Sequence, residues 1–176
     1  MQAIILAAGE GSRMRPLTAS RPKVMLPVAG RPFLEHIILR ARAAGADRIV
    51  LVVGYCSDAV RSYFGDGSSL GLKIEYALQD KQLGTGHALM AARDLADDSF
   101  LVLNGDVLPD EPSLRALASR LPAVSGPQTL WCLFQPSGQA DLGGGEEQQP
   151  SIQSGQCRNL SFWRRHIRRP AGYATV

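Results

Sequence analysis

The sequence predicts an α/β fold in which a mostly parallel sheet lies between two layers of helices. Short apolar runs of strand length alternate with segments whose apolar residues recur at helical spacing, and short loops separate them. Strands that alternate with helices pair in parallel, because each helix carries the chain back across one face of the sheet. A chain of 176 residues, 45% of them hydrophobic, is long enough to bury the core of such a domain.

The first four elements follow from their apolar patterns. Ala3–Ala8 is an apolar run of strand length that ends at a glycine. Pro32–Ala44 has apolar residues at helical spacing and also ends before a glycine, so we expect a helix. Arg48–Val53 is β-branched and almost wholly apolar, which is typical of a strand buried on both faces. Ser57–Phe64 is predicted as a short helix whose first serine caps its N-terminus.

The next elements continue the alternation. Lys73–Leu78 alternates apolar and polar residues as a strand does, and the alanine-rich segment Thr85–Leu95 is predicted as a helix. Phe100–Leu103 has the composition of another buried strand. Glu111–Leu121 carries leucines at helical spacing and is predicted as a helix. Beyond it, Thr129–Phe134 is the one segment for which we expect a strand.

The composition changes at about residue 122, which divides the chain into a core, residues 1–121, and an atypical tail, residues 122–176. Seven of the ten glutamines fall between Gln128 and Gln156, and no lysine follows Lys81. The tail shows no alternation of strands and helices, and so long a stretch is unusual inside a compact domain. We expect the tail to be disordered or to be the product of a shifted reading frame.

Charge, hydropathy and cysteine content exclude several classes of protein. The formal charge of +3 is too small to indicate a nucleic-acid partner. No apolar run approaches the length of about 20 residues that a membrane span needs, and the N-terminus lacks the basic segment of a signal peptide. Cys56, Cys132 and Cys157 are widely spaced and form neither a metal-binding pattern nor a disulfide framework. We therefore expect a cytoplasmic protein.

Three loops follow predicted strands directly, after Ala8, Leu78 and Leu103. In an open parallel sheet, ligands bind at the carboxyl ends of the strands, near the point where the strand order reverses. The three loops are therefore expected to meet at one ligand-binding edge.

The loop after the first strand combines glycines with cations. Gly9 and Gly11 allow the backbone to approach phosphate oxygens closely, and Arg13 and Lys23 can neutralise phosphate charge. The loop is not a P-loop, and Met14 stands where the dinucleotide-binding fingerprint has its third glycine. These residue types alone leave a phosphate site and an ordinary flexible turn equally open.

The longer pattern resembles the sugar-1-phosphate nucleotidylyltransferase family. That family carries G-x-G-S/T-R-L/M followed by P-K-x-x-x-P-V, and residues 6–32 match without a gap through G-E-G-S-R-M and P-K-V-M-L-P-V. Residues 79–88, Q-D-K-Q-L-G-T-G-H-A, are similar to a segment of the uridylyltransferases that make UDP-N-acetylglucosamine. Residues 103–106, L-N-G-D, resemble the family's G-D segment. The resemblance implies a Rossmann-like three-layer α/β/α fold of the nucleotide-diphospho-sugar transferase type, incomplete at its C-terminus.

The resemblance also implies roles for individual residues. Arg13 and Lys23 would be catalytic, because they would neutralise phosphate charge, and Asp106 would bind Mg²⁺. The remaining residues would bind the base, the ribose and the triphosphate: Leu6, Ala7, Ala8, Gly9, Gly11, Ser12, Gln79, Gly84 and Thr85. Gln79 would hydrogen-bond the pyrimidine edge.

The implied reaction is nucleotidyl transfer from UTP or dTTP to a sugar 1-phosphate, which yields a nucleotide sugar and pyrophosphate. The partners would be the nucleoside triphosphate and the sugar phosphate, and the sequence is compatible with a homo-oligomer. Residues 122–176 lack the family's Glu-Lys-Pro and Asn-Ala-Gly segments and its second magnesium-binding aspartate. Two alternatives therefore stay open: a non-catalytic nucleotide-binding or regulatory subunit, and an inactive truncated member of the family.

Overall fold

A mixed β-sheet forms the centre of the computed structural model, which describes residues 1–97, 99–119, 131–134 and 140–143. These residues belong to one compact unit. They form eight strands: β1 Gln2–Leu6, β2 Pro27–Val28, β3 Arg31–Pro32, β4 Arg48–Val53, β5 Lys73–Leu78, β6 Phe100–Asn104, β7 Trp131–Phe134 and β8 Ala140–Gly143. They also form four α-helices: α1 Phe33–Ala43, α2 Ser57–Phe64, α3 Thr85–Ala91 and α4 Glu111–Ala118.

Six of the strands form one sheet in the order β5-β4-β1-β6-β7-β8. The strands β5, β4, β1 and β6 are parallel; in the central register Ile4 pairs with Val50 on one side and Val102 on the other. Strand β7 is parallel to β6, and β8 is antiparallel to β7. The strand order reverses beside β1, because the chain passes from β1 to β4 and β5 on one side and then to β6 on the other. A ligand crevice is expected at the carboxyl ends of β1 and β6.

Helices cover both faces of the sheet, as the pattern predicted. On one face α1, α2 and α4 pack against the buried side chains of Ile5, Leu51 and Leu103. On the other face Ala88 in α3 packs against the core that includes Ile4. Alternate residues of the central strands therefore face opposite helix layers, which confirms the three-layer α/β/α fold. Within the described ranges, no helix is long and apolar enough to cross a membrane.

The observed elements match most of the expected ones, with several differences. Helices α3 and α4 end at Ala91 and Ala118, before the expected Leu95 and Leu121, and strand β8 was not predicted. Strands β4 and β5 have the predicted bounds, and β7 lies within the expected strand. The prediction that Ser57 caps α2 is wrong: Ser57 is the first helical residue, and Cys56 precedes it with a left-handed φ of 50°. The hairpin formed by β2 and β3 was not predicted. Apart from the strand that contains β7, the expectations for the tail concern residues outside the described ranges.

Candidate active site

The loops after β1, β5 and β6 begin at one edge of the sheet. The amide of Gly105 donates a hydrogen bond to the carbonyl of Leu6 at 2.9 Å, and the amide of Gln79 donates to the carbonyl of Val53 at 2.8 Å. A Cβ at position 105 would lie 2.6 Å from the Leu6 carbonyl oxygen, so glycine is needed for this close approach. The three loops therefore begin at one edge of the sheet, as predicted from the sequence.

The glycine-containing loop after β1 is held in place by tertiary hydrogen bonds. Gly11 has a left-handed φ of 69°, and the hydroxyl of the fully buried Thr18 donates to its carbonyl at 3.0 Å. The phenol of Tyr55 donates to the carbonyl of Ala19 at 2.9 Å. A hydrogen bond with Cys56 and desolvation raise the pKa of Tyr55, whose phenol is a neutral donor at pH 7 with or without this shift. The loop is therefore ordered, which favours a phosphate site over a flexible turn.

Lys23 and Asp106 lie in contact at this edge. Nζ of Lys23 is 2.9 Å from Oδ2 of Asp106, and the two side chains are 38% and 48% exposed. A Cβ added to Gly11 would lie only 2.7 Å from Cβ of Lys23, so the glycine lets the lysine stem pass. An exposed ion pair of this kind contributes about 0–1 kcal/mol, so a charged ligand can readily separate it.

Arg13 lies on the exposed side of the same loop. It belongs to the single 3₁₀ turn Ser12–Met14, which follows the glycines. Its neighbour Arg15 pairs with Glu10. Arg13 itself forms no hydrogen bond or ion pair with the residues that the structure describes, so its guanidinium is available to an anion.

The segment after β5 is tied to the glycine-containing loop. The buried Gln79 places Nε2 3.1 Å from Nδ1 of His87 and 3.4 Å from the carbonyl oxygen of Gly84. Nε2 of Gln82 donates to the carbonyl of Ala8 at 3.0 Å. Both residues lie in the segment that carried the family resemblance. From the sequence, His87 was interpreted as structural and not catalytic, and Gln82 had no assigned role.

The other residues expected to bind a nucleotide lie along the same edge. Leu6 ends β1 and is partly exposed, whereas the side chains of Ala7 and Ala8 are buried. Both alanines are buried as whole residues, and the Ala8 carbonyl already accepts a hydrogen bond from Gln82, so a ligand has little access to them. Gly9 and Thr85 are exposed, and Thr85 is the first residue of α3.

Comparison with known proteins identifies the family. The family model described as "Nucleotidyl transferase" matches residues 2–140. The chain belongs to this family. The match includes β1, β6 and the loops that carry Arg13, Lys23, Gln79 and Asp106, and it confirms the resemblance to sugar-1-phosphate nucleotidylyltransferases.

The chain has curated relatives with different names. It is 52% identical over 108 residues to a bifunctional protein GlmU of Methanococcus maripaludis, covering 61% of this chain and 25% of the relative. It is 47% identical over 109 residues to a mannose-1-phosphate guanylyltransferase of Mycobacterium tuberculosis, covering 61% and 30%. It is 42% identical over 106 residues to the UTP–glucose-1-phosphate uridylyltransferase AglF of Haloferax volcanii, covering 60% and 43%. The match spans only about a quarter of the first of these relatives.

A solved structure shares the fold. HddC from Yersinia pseudotuberculosis, in complex with GMP-PN, superposes with a TM-score of 0.59 at 28% identity, covering 68% of this chain and 54% of that one. The likeness is consistent with the parallel sheet and the helix layers of this chain.

The carboxylate of Asp106 suits Mg²⁺ only when phosphate is also present. Among the described residues, no group of three or more His, Cys, Asp or Glu side chains could hold a metal ion. Mg²⁺ commonly binds through one or two carboxylates together with substrate phosphates. Among the described residues, the single carboxylate of Asp106 therefore fits a magnesium ion that substrate phosphates would also bind.

Proposed function

We propose that the chain transfers a nucleotidyl group from a nucleoside triphosphate, UTP or dTTP, to a sugar 1-phosphate and releases pyrophosphate. The observation that carries this proposal is the contact between Lys23 and Asp106 beside the ordered loop of Gly11 and Arg13. It places two cations and a carboxylate where the strand order reverses. Membership of the nucleotidyl transferase family supports the reaction class.

In the proposed reaction, a phosphate oxygen of the sugar 1-phosphate forms a bond to the α-phosphorus of the triphosphate. The bond from that phosphorus to the β-phosphate bridging oxygen breaks, and its electron pair leaves with pyrophosphate. The nucleophile is already an anion, so no side chain has to remove a proton. The chain contributes position and charge neutralisation.

The two side-chain cations and the magnesium ion would have different roles in this reaction. Arg13 and the backbone amides that follow Gly11 would hold the leaving pyrophosphate. Lys23 would exchange the carboxylate of Asp106 for a substrate phosphate, because the exposed ion pair is weak. Asp106 would hold Mg²⁺ together with phosphate oxygens, and that ion would supply further neutralisation of phosphate charge.

The identity of the base is a finer proposal. The likeness of residues 79–88 to uridylyltransferases supports uridine, and the relative AglF is named for UTP. The guanylyltransferase relative makes GTP the first competitor to test. We place the reaction in the cytoplasm and assign it to nucleotide-sugar biosynthesis.

The test is a pyrophosphate-release assay with a panel of nucleoside triphosphates and sugar 1-phosphates. Arg13→Ala and Lys23→Ala should each lower the rate by about 10²–10³, by analogy with the loss of one preorganised donor at a developing charge. Lys73→Ala is the matched control, because Lys73 is the first residue of β5 and lies at the amino ends of the strands, away from the site. Wild-type rates in both site variants would contradict the proposal. Nucleotide binding without pyrophosphate release in the wild type would favour the non-catalytic subunit.

A further inference from the structure

We propose that His87 fixes the Gln79 amide as a hydrogen-bond acceptor, so that the site selects bases that present a ring N–H. This inference rests on the proposed function, because it concerns the base of the same nucleotide. It assigns His87 a positioning role and defines the class of base by chemistry.

The orientation of the Gln79 amide follows from its two neighbours. Nε2 lies 3.4 Å from the carbonyl oxygen of Gly84 and 3.1 Å from Nδ1 of His87. An amide nitrogen carries two hydrogens, and these two acceptors use both. The reversed amide would set its oxygen against the Gly84 carbonyl oxygen, which places two acceptors together. The donor end of Gln79 is therefore directed at the protein.

The same contact fixes the histidine. If Nε2 of Gln79 donates to Nδ1 of His87, then Nδ1 carries no proton and the imidazole proton lies on its own Nε2. His87 lies in the first turn of α3, where the amide of Ala88 donates to the Gly84 carbonyl at 3.0 Å. Ala88 is buried in the core and anchors this turn. The ring is therefore presented to Gln79 by packed backbone and not by a mobile loop.

The acceptor end of Gln79 is left for a ligand. Gln79 is only 5% exposed, and its oxygen forms no hydrogen bond with the residues that the structure describes. Yet within the described part of the chain no fully buried side-chain oxygen or nitrogen lacks a partner. The oxygen of Gln79 is therefore not fully buried, and at the carboxyl end of β5 it can accept one hydrogen bond.

This acceptor divides the bases into two groups. Uracil and thymine present N3–H and guanine presents N1–H, whereas cytosine and adenine present an unprotonated ring nitrogen at the corresponding position. An acceptor that faces a ring acceptor leaves a buried polar group unpaired, which is costly. The site should therefore take uridine, thymidine or guanosine nucleotides and reject cytidine nucleotides. The uridylyl- and guanylyltransferase names among the relatives fall within this group.

The experiment compares equilibrium binding of UTP, CTP and inorganic tripolyphosphate, each with Mg²⁺, to the full chain. The variants are His87→Leu, which removes the acceptor, and His87→Asn, whose Oδ1 can replace Nδ1. We expect wild type to prefer UTP over CTP and His87→Leu to lower that preference about tenfold, the value of one hydrogen bond. His87→Asn should retain the preference. Tripolyphosphate should bind all three proteins equally, because it probes the phosphate loop alone.

Several results would overturn the inference. If His87→Leu prefers UTP over CTP as strongly as the wild type does, the histidine does not orient the Gln79 amide. An equal loss of preference in His87→Asn, or a loss of tripolyphosphate binding in either variant, would show that His87 supports the fold of the site instead. A wild type that binds tripolyphosphate without distinguishing UTP from CTP would overturn this inference alone. A wild type that binds none of the three probes would overturn the proposed function as well.

Discussion

Replacing Gly11 by alanine should destabilise the protein through two identifiable contributions. The backbone φ of 69° lies in the left-handed region, which costs an alanine about 1–2 kcal/mol. The new Cβ would also lie 2.7 Å from Cβ of Lys23 and 3.4 Å from Cγ2 of Thr18. Neither of these atoms is the far end of a flexible chain, so the backbone must move, at a cost of about 1–3 kcal/mol. We expect a total loss of about 2–5 kcal/mol in the free energy of unfolding.

Gly9→Ala provides the matched control. A Cβ at Gly9 would have no heavy atom within 4 Å, and its φ is not in the left-handed region. Its free energy of unfolding should stay within about 0.5 kcal/mol of wild type. Urea denaturation of the two variants, followed by circular dichroism, measures both values. Where Gly11→Ala still folds, it should also bind nucleoside triphosphate more weakly, because Lys23 is displaced.

Equal stability of the two alanine variants would refute this account of Gly11. It would mean that the loop adjusts freely around Lys23 and that the close approach does not hold the lysine in place.

Three further variants test other contacts. Asp110→Ala should lower the free energy of unfolding in urea melts, because the Asp110 carboxylate accepts a hydrogen bond from the Ser113 amide at the start of α4. Asp110→Asn should restore most of that loss. Arg48→Met should lower the free energy of unfolding at pH 7, because Arg48 donates a hydrogen bond to Glu75 and lowers the pKa of that carboxyl. This contribution is lost when Glu75 is protonated, so the difference in free energy between variant and wild type should shrink as the pH falls below about 4. A pH-independent difference would contradict this. Thr18→Val should weaken triphosphate binding while keeping most of the buried volume, as calorimetric titration would show; unchanged affinity would mean that this hydroxyl does not order the loop.

Much of the sheet could be predicted because its strands are buried on both faces. Arg48–Val53 is almost wholly apolar, so its composition marks its bounds. The hairpin at Pro27–Val28 and Arg31–Pro32 has two-residue strands, which are too short to show a period. Its existence depends on tertiary packing, which no local pattern reports.

The location of the candidate site could be predicted, but its contacts could not. Loops that follow parallel strands must begin at one edge, which brought the segments of Lys23, Gln79 and Asp106 together. Lys23 and Asp106 are 83 positions apart, and only the folded chain sets their separation of 2.9 Å. The bond between Gln79 and His87 depends on the angle at which α3 leaves β5, which sequence spacing does not specify.

Triphosphate binding by Lys23 at this edge can be measured by calorimetric titration of the wild type and two lysine variants with Mg²⁺–UTP. Lys23→Met should weaken binding at least about tenfold, since a charge-assisted hydrogen bond is lost. Lys73→Met should bind as the wild type does, because Lys73 lies at the amino ends of the strands and pairs with Glu75. Equal affinities for the two variants and the wild type would contradict triphosphate binding by Lys23.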